Sequence, residues 1–299
     1  MRRPEVADLM LLATVTLWAL NFTVTKYVIS HGFHPIAYGA LRFGGAAILF
    51  GGATYAREHT FALRRRDLLT LAGAAIVGIF LNQLAFVYAI KLTTATTVAL
   101  LFGTLPVLTG IFASLLGIER LGSRFWLAAV LAFGGAALVA LGSGGGVSGQ
   151  LWGDLLGFAA SATWAWYTVA VSPLLGRYST LRVSAVAFTI GTLPLLLVGL
   201  PQLTSQDYGL GPTIWLLYAF AIVGPLVVAN LLWFGGISRV GPSRASVFAN
   251  LQPFLAAIFS LLILSEPLTR VQVAGGLAIA GGILLSRPPR PLATQSVAT

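Results

Sequence analysis

Two stretches of the chain, DLMLLATVTLWAL at residues 8–20 and DLLGFAASATWAW at residues 154–166, share an Asp-Leu start and a Trp-Ala pair at an offset of 146. Near the end of each half a proline precedes a glutamate by thirteen residues, at Pro106 and Glu119 and again at Pro253 and Glu266. Each copy is a series of long apolar segments, which predicts a duplicated bundle of membrane helices. Such duplication is typical of transporters whose substrate path lies between the halves.

The composition of the chain indicates that its solvent is lipid. Hydrophobic residues make up 57% of the sequence and charged residues 9%, with a mean hydropathy of +0.89, whereas about a quarter of a soluble domain is charged. The net charge of +10 is scattered over short loops, which favours cytoplasmic loops over nucleic-acid binding. The chain has no cysteine, so disulfides and thiolate metal sites are excluded. The first apolar stretch is too long for a cleavable signal and is interpreted as a retained signal-anchor.

Ten segments are apolar and long enough to cross a hydrocarbon core about 30 Å thick. They are residues 8–29, 35–56, 67–90, 94–116, 123–142, 150–171, 182–200, 213–236, 243–264 and 269–286. In lipid, each segment must satisfy its backbone amides internally, and the alternation of a membrane β-barrel is absent. The predicted fold is therefore an all-α integral membrane protein with ten transmembrane helices.

The distribution of basic residues predicts the orientation. With the N-terminus in the cytoplasm, the outside loops hold only Lys91 and Arg270. The inside loops and tails hold Arg2, Arg3, Arg57, Arg64, Arg65, Arg66, Arg120, Arg124, Arg177, Arg182, Arg239, Arg244, Arg287 and Arg290. The positive-inside rule then places both termini in the cytoplasm. Because each repeat has an odd number of helices, the second repeat must be inverted relative to the first.

The domain organisation follows from the repeat. The first repeat covers residues 8–142 and the second covers residues 150–286; residues 143–149 form a Gly/Ser linker, and residues 287–299 form a flexible cytoplasmic tail. Small residues recur at helical spacing in the fifth and tenth segments, at Ala128, Ala132, Ala136 and Ala140 and at Ala274, Ala278 and Gly282. Such stripes allow close helix packing. We interpret them as packing within one chain rather than as a dimer seam, and expect a functional monomer.

The pattern resembles the drug/metabolite transporter superfamily, specifically the EamA-type exporters with two five-helix repeats. The motifs are Trp18-Ala19-Leu20-Asn21-Phe22, Leu41-Arg42-Phe43, Pro106 with Glu119-Arg120-Leu121, and Pro253 with Glu266-Pro267-Leu268. The resemblance covers roughly residues 8–286 and is greatest to bacterial exporters of aromatic amino acids. It implies a multi-pass protein of the bacterial inner membrane. One departure is that Thr189 stands at the second-repeat position of Arg42, so a role for Arg42 belongs to one half only.

Polar residues within the spans are the first candidates for a substrate site, because polar groups in hydrocarbon usually face a partner or a water-filled path. They are Asn21, Arg42, Asn82, Gln83, Asn230, Asn250 and Gln252. Gln83 and Asn230 are repeat partners, and either line a cavity or form interhelical hydrogen bonds. Arg42 lies about 10 Å below the outer surface. It could bind a substrate carboxylate, cap helix carbonyls, or reach the surface, where Lys26 is expected to extend.

Aromatic residues and prolines supply the remaining candidates. Trp18, Phe22, Tyr38, Tyr88, Trp164 and Tyr167 could stack on flat substrates, although interior aromatics are often simply core. Pro106 and Pro253 are expected mid-span in equivalent helices, where proline kinks a helix. The two kinks could act as gates on opposite faces or as static bends.

Several absences narrow the mechanism. The sequence has no phosphate-binding P-loop, its three histidines lie in loops, and no Asp or Glu lies deep in a span. These absences argue against ATP hydrolysis, a metal or other cofactor, and a proton relay. The sequence therefore predicts facilitated, gradient-driven export of aromatic amino acids by alternating access. Other amino acids, purines, cationic drugs and proton coupling remain alternatives; a membrane-embedded enzyme would need converging catalytic groups, and a scaffold would not need inverted repeats.

Overall fold

The computed structural model describes residues 6–93, 95–142, 151–264 and 269–286, and these residues form helices and short connections without strands. The first half contains α1 (Val6–Ser30), α2 (Pro35–Glu58), α3 (Arg65–Ala75), α4 (Asn82–Leu92), α5 (Ala95–Phe102), α6 (Leu105–Leu115) and α7 (Ser123–Gly142). The second half contains α8 (Leu151–Val171), α9 (Thr180–Ser205), α10 (Pro212–Ala221), α11 (Ala229–Val240), α12 (Pro242–Val247), α13 (Leu251–Leu264) and α14 (Arg270–Ser286). The predicted linker 143–149, Glu266 and the tail 287–299 lie outside the described residues.

The predicted apolar segments coincide with helices. Six helical stretches among the described residues are long and apolar enough to cross a bilayer: Val6–Ser30, Pro35–Glu58, Arg65–Leu92, Val98–Leu115, Thr180–Ser205 and Pro212–Val240. The other four predicted segments are also helical, as α7, α8, α12 with α13, and α14. Large apolar side chains such as Ile48 and Leu115 are exposed on the outside of the bundle, as expected of a surface that faces lipid.

Local sequence signals set the ends of several helices. Pro35 and Pro212 stand in the first turn of α2 and α10, where the missing N–H would have no helical partner. The Ser179 hydroxyl caps α9 by accepting from the Arg182 backbone N–H at 3.1 Å. Pro194 lies inside the continuous helix α9, although proline removes a helical hydrogen bond.

Four interruptions break the long helices, and they fall at equivalent places in the two halves. A π-helical segment, Ile76–Leu81, joins α3 to α4, and another, Ile222–Val228, joins α10 to α11. The fourth predicted span breaks between α5 and α6, and the ninth breaks at a 3₁₀ turn, Phe248–Asn250. Interruptions at membrane depth are tolerated where the backbone is buried in protein or lines a cavity.

The contacts between the halves reflect the symmetry of the two repeats. Helix α2 packs on α9, and α7 packs on α14, so each of these pairs joins the same span of the two repeats. Helix α4, in the third span, packs on α8, in the sixth; its symmetry equivalent is the contact of α11, in the eighth span, with α1, in the first, and this contact is also present. The two repeats therefore form one interleaved bundle.

The small-residue packing between α7 and α14 is confirmed in part. Ala128, Ala132 and Ala136 are buried, and a Cβ added at Gly282 would lie 2.8 Å from the Ala128 carbonyl oxygen. On α14 the predicted stripe is confirmed at Gly282 and wrong at Ala274, which is exposed; Ala278 is half-buried, and the neighbouring Gly275 and Ile279 are buried. The stripe is filled within one chain, as expected for intramolecular packing.

Three ion pairs between described residues join the halves at one end of the bundle, which we call the arginine-rich face. Arg244 contacts Asp8 at 3.0 Å, Arg182 contacts Glu58 at 2.6 Å, and Arg177 contacts Asp67 at 2.6 Å. Each carboxylate belongs to the first repeat and each guanidinium to the second. Hydrogen bonds from Ser179 and Arg182 hold the pKa of Glu58 below its ordinary value, so this carboxylate stays charged near neutral pH.

Glu119, which the sequence placed at a loop turn, also bridges the halves at the arginine-rich face. Its carboxylate accepts from the Ser243 backbone N–H at 3.3 Å, close to Gly241, which has a φ of 81°. It therefore caps the start of α12 in the other repeat. Burial raises the pKa of Glu119.

Glutamine side chains join the halves at the opposite ends of α2 and α9, which we call the glutamine face. Gln206 Oε1 accepts from the His34 backbone N–H at 2.6 Å, and Gln202 Oε1 accepts from the Ile36 N–H at 2.8 Å. Gln206 Nε2 also donates to the Gly32 carbonyl at 3.1 Å. These bonds involve no formal charge.

Candidate substrate-binding site

A narrow cavity lies inside the bundle where helices of both halves converge. Its water-accessible volume is about 80 Å³, which is room for several water molecules. Nine of the residues proposed from the sequence line it: Trp18, Asn21, Phe22, Arg42, Asn82, Gln83, Trp164, Asn230 and Gln252. The other lining residues are Phe43, Phe86, Phe102, Phe188, Pro225 and Leu226.

Arg42 is the charged residue in the wall of this cavity, and its side chain is only 2% exposed. Its Nη1 donates to Asn21 Oδ1 at 3.0 Å and to the Tyr38 hydroxyl at 3.3 Å, and its Nη2 donates to Gln83 Oε1 at 3.3 Å. The guanidinium carbon also lies 4.9 Å from the centre of the Tyr38 ring. Arg42 therefore neither caps helix carbonyls nor reaches the surface, which corrects two of the three predicted roles.

The three described acceptors of Arg42 are neutral. Among the residues that the structure describes, no carboxylate forms an ion pair with Arg42, and its Nε is buried without a hydrogen-bond partner. A buried guanidinium without a counter-charge costs at least about 3 kcal/mol in a membrane setting. The cavity wall thus carries one positive charge that the described protein side chains do not balance.

The amide pair of the third and eighth spans faces the cavity from both repeats, as the repeat alignment predicted. Gln83 uses its oxygen to accept from Arg42, while its Nε2 is buried with no partner. Asn230 Oδ1 accepts from the Ser184 hydroxyl at 3.3 Å. Asn82 instead donates to the Ala160 carbonyl at 2.7 Å, which ties α4 to α8.

The π-helical segments position this amide pair. In the first, the backbone N–H of Asn82 donates to the Val77 carbonyl; in the second, the N–H of Ala229 donates to the Gly224 carbonyl. The wider turn changes the direction in which the following residues project, and such bulges are frequent at functional sites. Sequence reasoning missed both segments. Pro225, which has no N–H to donate, is a signal for the second only.

Tryptophans from three spans form an aromatic cluster beside Arg42. The ring centres of Trp18 and Trp164 lie 5.4 Å apart with their planes nearly perpendicular, and Trp233 lies 4.9 Å from Trp18. The Trp18 indole N–H donates to the Pro225 carbonyl at 3.1 Å, which fixes the ring on the second π-helical segment. The repeat partners Trp18 and Trp164 therefore meet at the cavity.

Four predicted site residues lie outside the cavity wall. Tyr38 lies behind Arg42 and bonds to it, and Tyr88 accepts from Gln202 at 3.3 Å. Tyr167 is fully buried and packs on Trp164. The Asn250 side-chain amide, oriented so that its N–H and its oxygen both find partners, donates to the Gly103 carbonyl at 2.9 Å and accepts from the Phe133 backbone N–H at 3.1 Å. A substrate role for these four residues stays a prediction.

Lys26 has a different role from the predicted one. Its ammonium group donates to the Ile90 carbonyl at 2.7 Å and to the Thr93 carbonyl at 3.0 Å. These carbonyls lie at the end of α4, where a cation also stabilises the helix dipole. The side chain therefore joins two helices rather than extending to the surface.

Pro106 and Pro253 each lie at the start of a half-helix rather than inside a kinked continuous one. Pro106 is the second residue of α6, which follows the break at Gly103 and Thr104, and Pro253 is the third residue of α13. Proline is tolerated there because the first helical N–H groups have no intrahelical acceptor. The breaks touch each other through Asn250 and Gly103. A gating role for the two prolines stays a prediction.

Both halves of the sequence match one protein family. The profile of the EamA-like transporter family matches residues 6–141 and again residues 151–287. The chain belongs to the EamA-like transporter family. The two matches correspond to the two repeats inferred from the Asp-Leu and Trp-Ala pairs. The name of the family indicates transport rather than catalysis.

Individual relatives agree with the family assignment. The uncharacterized transporter YetK of Bacillus subtilis is 29% identical, over 82% of this chain and 76% of its own length. The uncharacterized inner membrane transporter YedA of Escherichia coli is 25% identical, over 92% of this chain and 89% of its own length. One solved crystal structure superposes on this chain with a TM-score of 0.76 and 18% sequence identity, over 95% of this chain and 98% of the solved chain. The structural likeness shows the fold alone.

Proposed function

We propose that this EamA-like transporter exports small amphiphilic metabolites, aromatic amino acids first, across the bacterial inner membrane. Ten spans in two inverted repeats, with both termini in the cytoplasm, would let the shared cavity open to each side in turn. The uneven distribution of arginines supports this orientation, and the stripe that is filled within one chain supports a monomer.

Arg42 is the observation that carries the proposed substrate class. A guanidinium recognises a carboxylate through two parallel N–H···O bonds, and Arg42 has an unpartnered Nε beside an occupied Nη2. A substrate carboxylate would supply the missing counter-charge, while Gln83 Nε2 offers one more unpartnered donor in the same wall. The same positive charge disfavours the alternative of cationic drugs, because like charges repel at short range.

The rest of the cavity wall suits a flat apolar group. Phe22, Phe86 and Phe102 form a cluster with ring centres 5.7 to 6.2 Å apart, in which two of the three contacts are edge to face and one is tilted. Trp18, one turn before Phe22 on α1, and Trp164 line the same cavity. Aromatic groups gain about 0.5–1.5 kcal/mol from such contacts beyond the burial of their surface. An aromatic amino acid combines this group with the carboxylate. The small volume of the cavity indicates that these rings move apart when substrate enters.

Replacing Trp164 with alanine tests the aromatic part of the proposal. We expect export of phenylalanine to fall about tenfold or more, because the variant loses both stacking and apolar contact. Export from cells loaded with phenylalanine gives the measurement, and the amount of folded protein in the membrane normalises it. Trp152→Ala is the matched control, because Trp152 lies on the same helix and is 73% exposed. Unchanged export by a folded Trp164→Ala protein would rule out stacking on this ring.

A second experiment tests gradient-driven transport. In the described residues the cavity wall contains no carboxylate or histidine that could carry a proton. We therefore expect proteoliposomes loaded with phenylalanine to release it at equal pH on both sides, at a rate that a pH gradient changes less than twofold. Release that requires a pH gradient would show proton coupling, while leaving the identity of the substrate intact.

A further inference from the structure

A second concave feature lies on the outside of the bundle, away from the substrate cavity. It is a groove between α3 and α8, with Leu69, Gly73 and Val77 on one wall and Trp166 and Ala170 on the other. These side chains are apolar, and a Cβ added at Gly73 would meet nothing within 4 Å. The groove is therefore open, and it faces the medium that surrounds the bundle.

The groove continues toward a cluster of arginines at the start of α3. Arg66 precedes Leu69, Gly73 and Val77 by three, seven and eleven residues, which places all four on one face of the helix. Thr70, which also lines the groove, donates to the Arg66 carbonyl at 3.1 Å. Seven residues of helix span about 10 Å. Arg66 therefore lies about 10 Å along the helix from Gly73, a distance that a lipid headgroup and the start of its acyl chain can cover.

The arginine cluster has excess positive charge. Arg64, Arg65 and Arg66 are exposed, and within the described ranges no carboxylate forms an ion pair with any of them. The carboxylate next in sequence, Asp67, is already occupied by Arg177 at 2.6 Å and by the Tyr178 hydroxyl at 2.8 Å. Three cations thus remain for an external anion.

We propose that this groove is a binding site for an anionic phospholipid. One acyl chain lies along Leu69, Gly73 and Val77 under the Trp166 ring, and the phosphate contacts Arg66. Basic clusters beside a membrane helix attract anionic lipids by about 1 kcal/mol per residue, and indole rings favour the depth between headgroup and chain. The positive charge selects an anionic lipid over a zwitterionic one with the same chains.

Replacing Arg66 with glutamine tests the headgroup contact. The protein is reconstituted in equal mixtures of phosphatidylglycerol and phosphatidylcholine with identical chains, and the lipids that stay bound after gentle detergent extraction are counted by native mass spectrometry. Wild type should retain phosphatidylglycerol preferentially, and Arg66→Gln should lower this preference about fivefold. Arg57→Gln, an exposed arginine at the end of α2, should leave it unchanged. Equal retention of both lipids by wild type, or an unaltered preference in Arg66→Gln, would overturn the site.

Filling the groove tests the acyl-chain contact. Gly73→Phe should fold, because Gly73 is exposed and a Cβ added there meets nothing within 4 Å, and it should reduce the number of retained lipids of both kinds. Gly52→Phe is the matched control, because Gly52 is exposed on α2 and its added Cβ also meets nothing within 4 Å. Lipid retention by Gly73→Phe equal to that of the control would place the bound lipid elsewhere and overturn the proposal.

Discussion

Replacing Arg42 with glutamine is expected to lower export of phenylalanine by about 100-fold. Hydrogen bonds to a charged group contribute about 1.5–3 kcal/mol each, and two such bonds to a carboxylate correspond to about two orders of magnitude in affinity. Glutamine keeps an amide N–H near Asn21 and Gln83, so the variant removes the charge while retaining a donor. The measurement is phenylalanine efflux from proteoliposomes together with ligand-induced thermal stabilisation in detergent.

Two controls separate carboxylate recognition from damage to the fold. Thr189→Val alters the equivalent position of the second repeat, where the hydroxyl bonds only within its own helix, to Ala185 at 2.8 Å, and it should export normally. Phenethylamine lacks the carboxylate, so any weak stabilisation that it gives should be the same in wild type and in Arg42→Gln. Export within threefold of wild type by a folded Arg42→Gln protein would remove Arg42 from substrate binding.

Replacing Gly78 with alanine is expected to destabilise the whole bundle. An added Cβ would lie 2.1 Å from Cβ of Tyr167, an atom that cannot move without its backbone. Gly78 lies in the first π-helical segment and Tyr167 lies in α8, so relief of this clash must separate the two repeats. Forced overpacking of this kind costs about 1–3 kcal/mol, and more where the backbone must shift. The expected result is a fall of several degrees in the melting temperature in detergent, with less folded protein in the membrane.

Neighbouring glycines provide the comparison for Gly78. Gly73→Ala, in the same span, adds a Cβ into open space, and Gly224→Ala, at the equivalent place of the second repeat, adds a Cβ 3.1 Å from the Phe220 ring and 3.5 Å from the Leu17 side chain. Both variants should melt within about two degrees of wild type. If Gly78→Ala were as stable as these two variants, the close approach of the first π-helical segment to Tyr167 on α8 would be wrong.

Hydropathy and the sequence repeat predicted the positions of the helices well, because the apolar character of a span is carried by many residues at once. The ten segments coincide with helices, since a segment in lipid has few ways to satisfy its backbone. The interruptions were harder. Pro106 and Pro253 lie close to the two mid-span breaks, but neither π-helical segment was predicted. Pro225 lies in the second segment, whereas Ile79 holds the equivalent place in the first and has an N–H, so nothing local in the sequence indicated the first segment.

The sequence predicted which residues belong to the candidate site, but it did not predict which groups they contact. Polarity in a hydrophobic span drew attention to Arg42, Gln83 and Asn230, and the repeat paired Trp18 with Trp164. The partners of Lys26 and Arg42 depend on where other helices place their carbonyl and amide groups, which only the assembled bundle determines. On α14 the prediction was right at Gly282 but chose Ala274 where the neighbouring Gly275 is buried, because small residues occur on more than one face of this helix.

The two ends of the α2–α9 pair are fastened by different chemistry, carboxylate with guanidinium at one end and glutamine amide with backbone at the other. Dissolved ions screen the first kind of contact and hardly affect the second. If the protein works by the alternating access proposed above, higher ionic strength at the arginine-rich end would weaken the contacts there and favour a state that is open at that end. The salt concentration on that side would then influence which side the empty protein faces.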